Sequence, residues 1–179
     1  MNLSLLSDLS FDDLPSALAG RAGFVLGGFH VGLAPVSGLS DEWPLQSVLA
    51  PLLGSSHAGL REIWQCDQPG LSGAAEGLRW RRCGPLLYGV IELDEADFPA
   101  PPGSSALQEA SAEAYRRIFR LLDAQGLPHL WRVWNYIAGI TTETDGLERY
   151  RQFNIGRQDA FLEFSRGATG NVPAACAIG

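Results

Sequence analysis

The sequence contains no lysine: all thirteen of its basic residues are arginine, and twenty acidic residues outnumber them. Without a lysine amine the chain cannot form a Schiff base with a carbonyl substrate, hold pyridoxal phosphate covalently, or complete a P-loop. The net charge of −7 disfavours nucleic acids and anionic membranes as partners, because both select basic surfaces.

Long apolar runs and recognisable cofactor motifs are also missing. No stretch approaches the roughly 20 apolar residues of a membrane-spanning helix. The first twenty residues have no basic region, and aspartates interrupt their leucines, unlike a signal peptide. Cys66, Cys83 and Cys176 lack metal-binding spacing, and no zinc or Rossmann signature appears. We therefore predict a cytoplasmic protein with reduced thiols and with neither a metal nor a cofactor.

The length of 179 residues suits one domain with a sizeable core, and we predict a lead-in over residues 1–22 before a domain over residues 23–179. Four segments have the apolar patterns of strands: 23–32, 60–66, 77–84 and 85–94. The last of them is nearly continuous in its apolar residues, which predicts a central strand covered on both faces. Residues 43–53, WPLQSVLAPLL, are predicted to form a short helix inside a long loop.

The second half of the sequence alternates helices with strands. The clearest helix begins after Ser105, which can form a capping box with Gln108, and ends at Gly126. Its predicted buried stripe consists of Leu107, Ala110, Ala114, Ile118, Leu121 and Leu122. A strand over 129–137, a second helix that Asp145 can cap, and a strand over 172–179 follow. This order predicts an α+β fold, with two helices packed on one face of a mixed sheet.

The last predicted strand stops among small apolar residues, without a charged tail. A strand of this kind needs another strand beside it, from further sequence or from a neighbouring chain. We therefore expect a truncated second half, and a chain that oligomerises when it is produced alone.

Arg157 is the residue that the helical pattern does not explain. Read at helical spacing, the second helix places one arginine and one asparagine on a stripe of core residues: Leu147, Tyr150, Asn154, Arg157, Phe161 and Phe164. A buried guanidinium needs compensation. Arg157 can extend to water from the edge of the stripe, pair with an internal carboxylate such as Glu143, Asp145 or Glu148, or wait for an anionic ligand.

Neighbouring polar residues strengthen the ligand explanation beyond what a lone arginine would justify, while the two structural explanations stay open. Tyr150 and Asn154 lie on the same stripe and can donate hydrogen bonds too. Arg149 is expected on the opposite, solvated side of the helix. Tyr136 ends the preceding strand and can line the same cleft, although a half-buried structural tyrosine is the commoner case. Cys176 lies among small residues, where an inert buried thiol is commoner than a nucleophile.

Four segments together resemble the chorismatase family, whose members are also labelled pteridine-dependent deoxygenase-like proteins. They occur in the order GPLLYGVIELDEADF, HLWRVWNYIAGI, DGLERYRQFNIGR and PAACAIG. The resemblance covers residues 85–179 well, and the N-terminal part loosely through GFVLGGFHVG. It implies two parts with the trimeric RidA/YjgF fold, of which this chain is the first, and an active site where the parts meet.

The resemblance also implies an activity and a set of site residues. Family members act on chorismate and release pyruvate from its enolpyruvyl ether, leaving a hydroxybenzoate or a dihydroxylated cyclohexadiene carboxylate. Arg157 would bind one substrate carboxylate, beside Tyr150 and Asn154, while Tyr136, Ala175 and Cys176 would line the pocket. The general acid is expected beyond Gly179, so the chain alone should have little turnover. The family's usual threonine is replaced by Cys176.

Two other functional classes remain open. One is a non-catalytic RidA-like domain that binds small carboxylate metabolites, and the other is a structural association domain. RidA imine deaminases hold the substrate carboxylate with an arginine directly after Pro-Ala. Here that position is Ala175, which disfavours imine deamination.

Overall fold

The computed structural model describes residues 2–7, 16, 18–33, 43–51, 59–166 and 172–179. Parts of the predicted lead-in and of the predicted helix over 43–53 lie outside these ranges. The chain divides into two compact units, Met1–Val90 and Ile91–Gly179. The first unit is built on β-sheets, whereas the second carries both long helices, so the α+β class is confirmed.

The first unit contains a four-stranded and a three-stranded sheet. The larger sheet is formed by β1 (Leu3–Leu6), β2 (Val25–Gly32), β3 (Leu45–Leu49) and β4 (Gly59–Cys66), in the order β1-β4-β2-β3. Strand β2 runs parallel to β3 and antiparallel to β4. The smaller sheet is an antiparallel meander of β5 (Leu71–Ala75), β6 (Leu78–Cys83) and β7 (Leu86–Val90). The predicted lead-in therefore contributes a strand, β1.

One helix prediction and one strand prediction in this unit are wrong. Residues 45–49, expected in a helix, form β3, because β2 offers a free edge and pairing there overrides a weak local preference. Residues 85–94, expected to form a central strand, give only β7, which lies at the edge of its sheet with Leu87 and Tyr88 half-buried. The centrally buried strand is β2: Val25 and Leu26 belong to separate apolar clusters. Its glycines make room for β7, since a side chain at Gly27 would overlap the Tyr88 ring.

The second unit packs two helices against a parallel strand pair. Helix α1 (Ala106–Ala124) precedes β8 (Arg132–Tyr136), a short hairpin of β9 (Glu143–Thr144) and β10 (Leu147–Glu148) leads into α2 (Arg149–Glu163), and β11 (Ala174–Ile178) lies parallel to β8. Val133 and Ala177 of the strand pair pack against the core that the two helices share. The prediction of two helices on one sheet face is therefore confirmed for β8 and β11.

Helix α1 confirms its predicted ends and most of its predicted stripe. The Ser105 hydroxyl accepts a hydrogen bond from the Gln108 amide at 3.2 Å, and Gly126 adopts a left-handed conformation with φ of 64°. Four members of the predicted stripe are buried: Leu107, Ala110, Leu121 and Leu122. In its middle, Tyr115 and Phe119 are buried where Ala114 and Ile118 were expected. Both aromatic rings supply more apolar surface than the residues they replace in that pattern.

Asp145 does not cap α2, contrary to prediction. Asp145 and Gly146 have φ values of 53° and 77° and form the two-residue turn between β9 and β10. An Asp-Gly pair is a strong signal for such a hairpin, because both central residues need positive φ. The residue before α2 is Glu148, whose side chain makes no capping hydrogen bond. Further along, Gly156 lets the helices approach closely, since a side chain there would overlap the Gln108 carbonyl oxygen.

Candidate functional site

Arg157 lies in the middle of α2, with its guanidinium over two aromatic rings. Its Cζ is 5.3 Å from the centre of the Phe161 ring and 5.9 Å from that of Tyr115. The side chain is half-buried, and within the described ranges it forms no ion pair. Glu148, one of the three carboxylates considered as partners, instead lies 3.9 Å from Arg151. The charge is thus held against apolar rings without an internal anion from the described residues.

Tyr115 and Asn135 form the rigid base beneath this guanidinium. The Tyr115 hydroxyl donates a hydrogen bond to Asn135 Oδ1 at 2.9 Å, and Asn135 Nδ2 donates to the Cys176 carbonyl at 2.8 Å. Burial raises the pKa of Tyr115 to about 12, although the Arg157 charge and the hydrogen bond to Asn135 act in the opposite direction. The hydrogen bond to Asn135 holds the Tyr115 ring under Arg157.

Tyr150 and Asn154 lie on one flank of α2 rather than on its buried face. The residues that face the core are Gln152, Phe153, Gly156, Ala160 and Phe161. Tyr150 is 43% exposed, and Asn154 Nδ2 donates to the Tyr150 backbone carbonyl at 3.0 Å. One of the two amide hydrogens of Asn154 is therefore already bonded within its own helix. The convergence of Tyr150, Asn154 and Arg157 on one ligand stays a prediction.

The structure separates the predicted pocket residues of β8 and β11 between two sheet faces. Cys176 is paired with Trp134, and Ile178 with Tyr136. Because side chains alternate along a strand, and Val133 and Ala177 face the helices, the Tyr136 and Cys176 side chains point to the other face. Ala175 shares the helix-facing side with Val133, its partner in the ladder, and is exposed. Cys176 reaches the base beneath Arg157 through its carbonyl group rather than through its thiol.

Arg149 is not solvated, contrary to expectation. Its side chain is only 13% exposed, and its two terminal nitrogens bind the Glu95 carboxylate at 2.8 and 3.1 Å. Its Nε donates to the Ala138 carbonyl at 2.9 Å. The pair ties the short 3-10 helix Glu95–Asp97 to the start of α2. Glu95 is therefore a structural partner of Arg149, and helical spacing alone could not show a contact made across 54 residues.

Two residues of the site, Tyr115 and Asn135, have clearer roles in the structure than in the sequence. Tyr115 was absent from the predicted stripe of α1, although Ser111, Tyr115 and Phe119 recur at the four-residue spacing of a helix face. Asn135 was not among the predicted site residues, which include only its neighbour Tyr136 on that strand. The useful signal is an asparagine on the apolar face of a strand, which needs a buried polar partner.

Metal and membrane sites are not evident in the part of the chain that the structure describes. No group of three or more histidine, cysteine or acidic residues there could hold a metal ion. No helix there is long and apolar enough to cross a membrane.

Comparison with known proteins identifies the family. Residues 62–179 match the family model described as "Chorismatase FkbO/Hyg5-like, N-terminal". The chain belongs to this chorismatase family. The resemblance proposed from the sequence is thereby confirmed, and the matched region contains both helices, the parallel strand pair and Arg157.

Relatives of known name agree with the family model. A chorismatase from Streptomyces hygroscopicus is 38% identical over 119 residues, covering 66% of this chain and 32% of its own length. A 3-hydroxybenzoate synthase from Streptomyces hygroscopicus is 30% identical over 123 residues, covering 66% of this chain and 32% of its own length. The chain therefore spans about one third of these relatives.

A crystal structure of a chorismatase at 1.08 Å resolution extends the likeness to the whole chain. It superposes with a TM-score of 0.74 at 28% sequence identity, covering 99% of this chain and 50% of that one. The likeness thus extends beyond the matched family region into the preceding part of the chain. The fold class predicted from the RidA/YjgF-like resemblance is in agreement with this likeness.

Proposed function

We propose that this chain is the N-terminal part of a chorismatase, which cleaves the enolpyruvyl ether of chorismate. The products would be pyruvate and either a hydroxybenzoate or a dihydroxylated cyclohexadiene carboxylate. Membership of the family and the two named activities of the relatives support this reaction. Because those relatives are about three times as long as the matched region, the activity is proposed for the longer protein to which such a part belongs.

Arg157 is the residue proposed to bind a substrate carboxylate. The single observation that carries this role is its half-buried guanidinium, which lies over Tyr115 and Phe161 and forms no ion pair with a described carboxylate. A planar guanidinium can bind a carboxylate through two parallel hydrogen bonds. Chorismate carries two carboxylates, so an unoccupied cation on a rigid aromatic base suits it. Tyr150 and Asn154 are proposed as neighbouring donors, and Tyr136, Ala175 and Cys176 as more distant parts of the pocket.

The reaction needs a proton donor as well as a residue that binds the substrate carboxylate. Protonation of the enol ether's methylene carbon gives an oxocarbenium ion, which water or an internal group of the substrate captures before the ether bond to pyruvate breaks. Capture by water accounts for the dihydroxylated product, whereas pyruvate and a hydroxybenzoate together contain no added water. The protonation calls for a carboxylic acid with a raised pKa. Among the described acidic residues of the second unit, Glu95 is bound to Arg149 and Glu113 to Arg117 and Arg120. We place the acid beyond Gly179, and Arg157 serves to orient the substrate.

A titration of chorismate into the 179-residue chain tests the proposal. We expect saturable binding by isothermal calorimetry, with no pyruvate above background in a coupled lactate dehydrogenase assay. Arg157→Ala should weaken binding by roughly 2–5 kcal/mol, because it removes one partner of a charge pair formed on binding. Arg151→Ala is the matched control: it removes an arginine from the same helix whose side chain is 71% exposed.

Two outcomes would count against the assignment. Equal affinities for the unmodified chain and Arg157→Ala would remove Arg157 from the site. Rapid release of pyruvate by this chain would show that it carries the general acid itself. The cytoplasmic location and self-association of the chain stay predictions, and size-exclusion chromatography with light scattering tests the latter.

A non-catalytic RidA-like domain for small carboxylate metabolites is the alternative. It is favoured by one feature: no described carboxylate forms an ion pair with the Arg157 guanidinium, so the visible site can bind but has no evident acid. Such a module should bind simple dicarboxylates, such as succinate, as tightly as chorismate. A clear preference for chorismate would favour the enzyme.

A further inference from the structure

Two of the three cysteines lie side by side in the first unit. Cys66 is the last residue of β4 in the four-stranded sheet, and Cys83 is the last residue of β6 in the three-stranded sheet. The two thiols are hydrogen-bonded to each other. The Cys83 thiol also donates to the Gln68 carbonyl oxygen at 3.6 Å. The proposed chorismate site uses neither of these cysteines.

The surroundings of this pair are apolar. Both cysteines belong to one buried cluster with Leu26 and Leu86, and they are only 7% and 2% exposed, respectively. Burial, and beyond it the contact with Cys83, raises the pKa of Cys66 to about 12. Cys66 is therefore a thiol rather than a thiolate at neutral pH, and a buried thiol of this kind is a poor nucleophile. A catalytic role for the pair is thereby disfavoured.

Two thiols in direct contact can instead be joined to each other. We propose that Cys66 and Cys83 form an oxidative modification site, at which a two-electron oxidant such as hydrogen peroxide converts them to a disulfide. Two S–H bonds break and one S–S bond of about 2.05 Å forms. The two protons and two electrons that the thiols lose reduce one molecule of peroxide to two molecules of water. Each cysteine ends its strand, next to a bend or a turn, where local opening that admits a small oxidant costs least.

The disulfide joins the two sheets of the first unit. It fastens the end of β4 to the end of β6 and encloses the intervening strand β5. Because a closed loop restricts the unfolded chain more than the folded one, the oxidised protein should be the more stable form. Both sulfurs are buried, so exchange with thiols such as glutathione should be slow. The modification therefore forms slowly and persists, unlike that of an exposed redox-sensor cysteine.

Oxidation of the folded chain by diamide, a thiol-specific two-electron oxidant, tests this site. After the reaction the chain is unfolded in urea and alkylated with N-ethylmaleimide, which labels only free thiols. We expect the labelled cysteines to fall from all three to Cys176 alone, and mass spectrometry of the peptides to show Cys66 linked to Cys83. The thermal midpoint of the oxidised chain should lie roughly 4–8 °C above that of the reduced chain. Reduction with dithiothreitol should reverse both changes.

Three alanine variants separate the pair from the third cysteine. Cys66→Ala and Cys83→Ala should each keep both remaining thiols free and show no rise in thermal midpoint with diamide. Cys176→Ala is the matched control and should still form the disulfide. Each variant is compared with its own reduced form, so a loss of stability from the substitution itself does not enter. The proposal is overturned if the oxidised unmodified chain keeps three free thiols, if Cys176 takes part in the disulfide, or if the thermal midpoint does not rise.

Discussion

Helix α2 carries one arginine at its start and another in its middle, and the two regions differ in what lies against the positive charge. At the start, Arg149 is enclosed by the Glu95 carboxylate and the Ala138 carbonyl. In the middle, Arg157 meets the rings of Tyr115 and Phe161 and, among the described residues, no carboxylate. The first arginine has the partners of a structural residue, and the second has no described anion beside it.

The position of an arginine on a helix therefore does not decide whether it is a structural residue or a ligand-binding one. Both residues lie on one short helix, and the more enclosed of the two was expected in solvent. The anion that pairs with Arg149 comes from Glu95, 54 residues earlier in the chain, whereas no described carboxylate pairs with Arg157. Substitution of Arg149 should therefore affect mainly stability, and substitution of Arg157 should affect mainly ligand binding.

Removing the Arg149 side chain should give the largest loss of stability. Arg149→Ala leaves the Glu95 carboxylate and the Ala138 carbonyl without their shared donor, so we expect a loss of about 2 kcal/mol or more in the free energy of unfolding. Arg157→Ala loses only contacts with two rings, about 0.5–1 kcal/mol. Urea unfolding followed by circular dichroism measures both, and the exposed Arg151→Ala should be near zero.

The opposite order of the two losses in unfolding free energy would contradict this distinction between Arg149 and Arg157. If Arg157→Ala destabilised the chain more than Arg149→Ala, Arg157 would be a structural residue and its role in binding a ligand would lose its physical basis. The chorismate titration then decides whether any binding function remains at that position.

The parts of the fold that the sequence predicted are those with local signals. The Ser105 cap, the Gly126 end of α1 and the alternating faces of β8 depend on residues within a few positions of one another. The family itself was visible because several distinctive segments occur in a fixed order.

The errors arise where distant segments meet. Residues 45–49 form β3 only because β2 lies beside them, and Arg149 is enclosed only because Glu95 is brought to it. Asp145 is different: its Asp-Gly turn was a local signal for a hairpin that was interpreted as a helix cap. In the candidate site, Arg157 could be singled out from the sequence, but the Tyr115 ring beneath it required knowing how the two helices pack.

A substitution of Tyr115 can separate the contribution of its ring, which lies under Arg157, from that of its hydroxyl, which binds Asn135. Tyr115→Phe keeps the ring under the guanidinium but leaves Asn135 Oδ1 without its donor, so we expect a loss of about 1–2 kcal/mol in unfolding free energy. Chorismate affinity should change much less than in Arg157→Ala. Tyr150→Phe removes an exposed hydroxyl and is the control for stability. Equal losses of affinity in Tyr115→Phe and Arg157→Ala would show that the hydroxyl itself belongs to the binding site.

The smallest expected effect is on the pH dependence of stability and concerns Glu113 on α1. This carboxylate pairs with two partly exposed arginines, unlike the partners of Arg149 and Arg157. Burial alone would raise the pKa of this carboxyl, but hydrogen bonds from Arg117 at 2.8 Å and Arg120 at 2.9 Å lower it below its ordinary value near 4.5. A lowered folded-state pKa contributes stability above the unfolded pKa, and that stability is lost as the pH falls through the folded value. Between pH 6 and pH 3 the unmodified chain should therefore lose up to about 1 kcal/mol more than Glu113→Gln. Urea unfolding at the two pH values measures this difference. An identical loss in both proteins would show that these partly exposed arginines, unlike Arg149, add nothing through their charge.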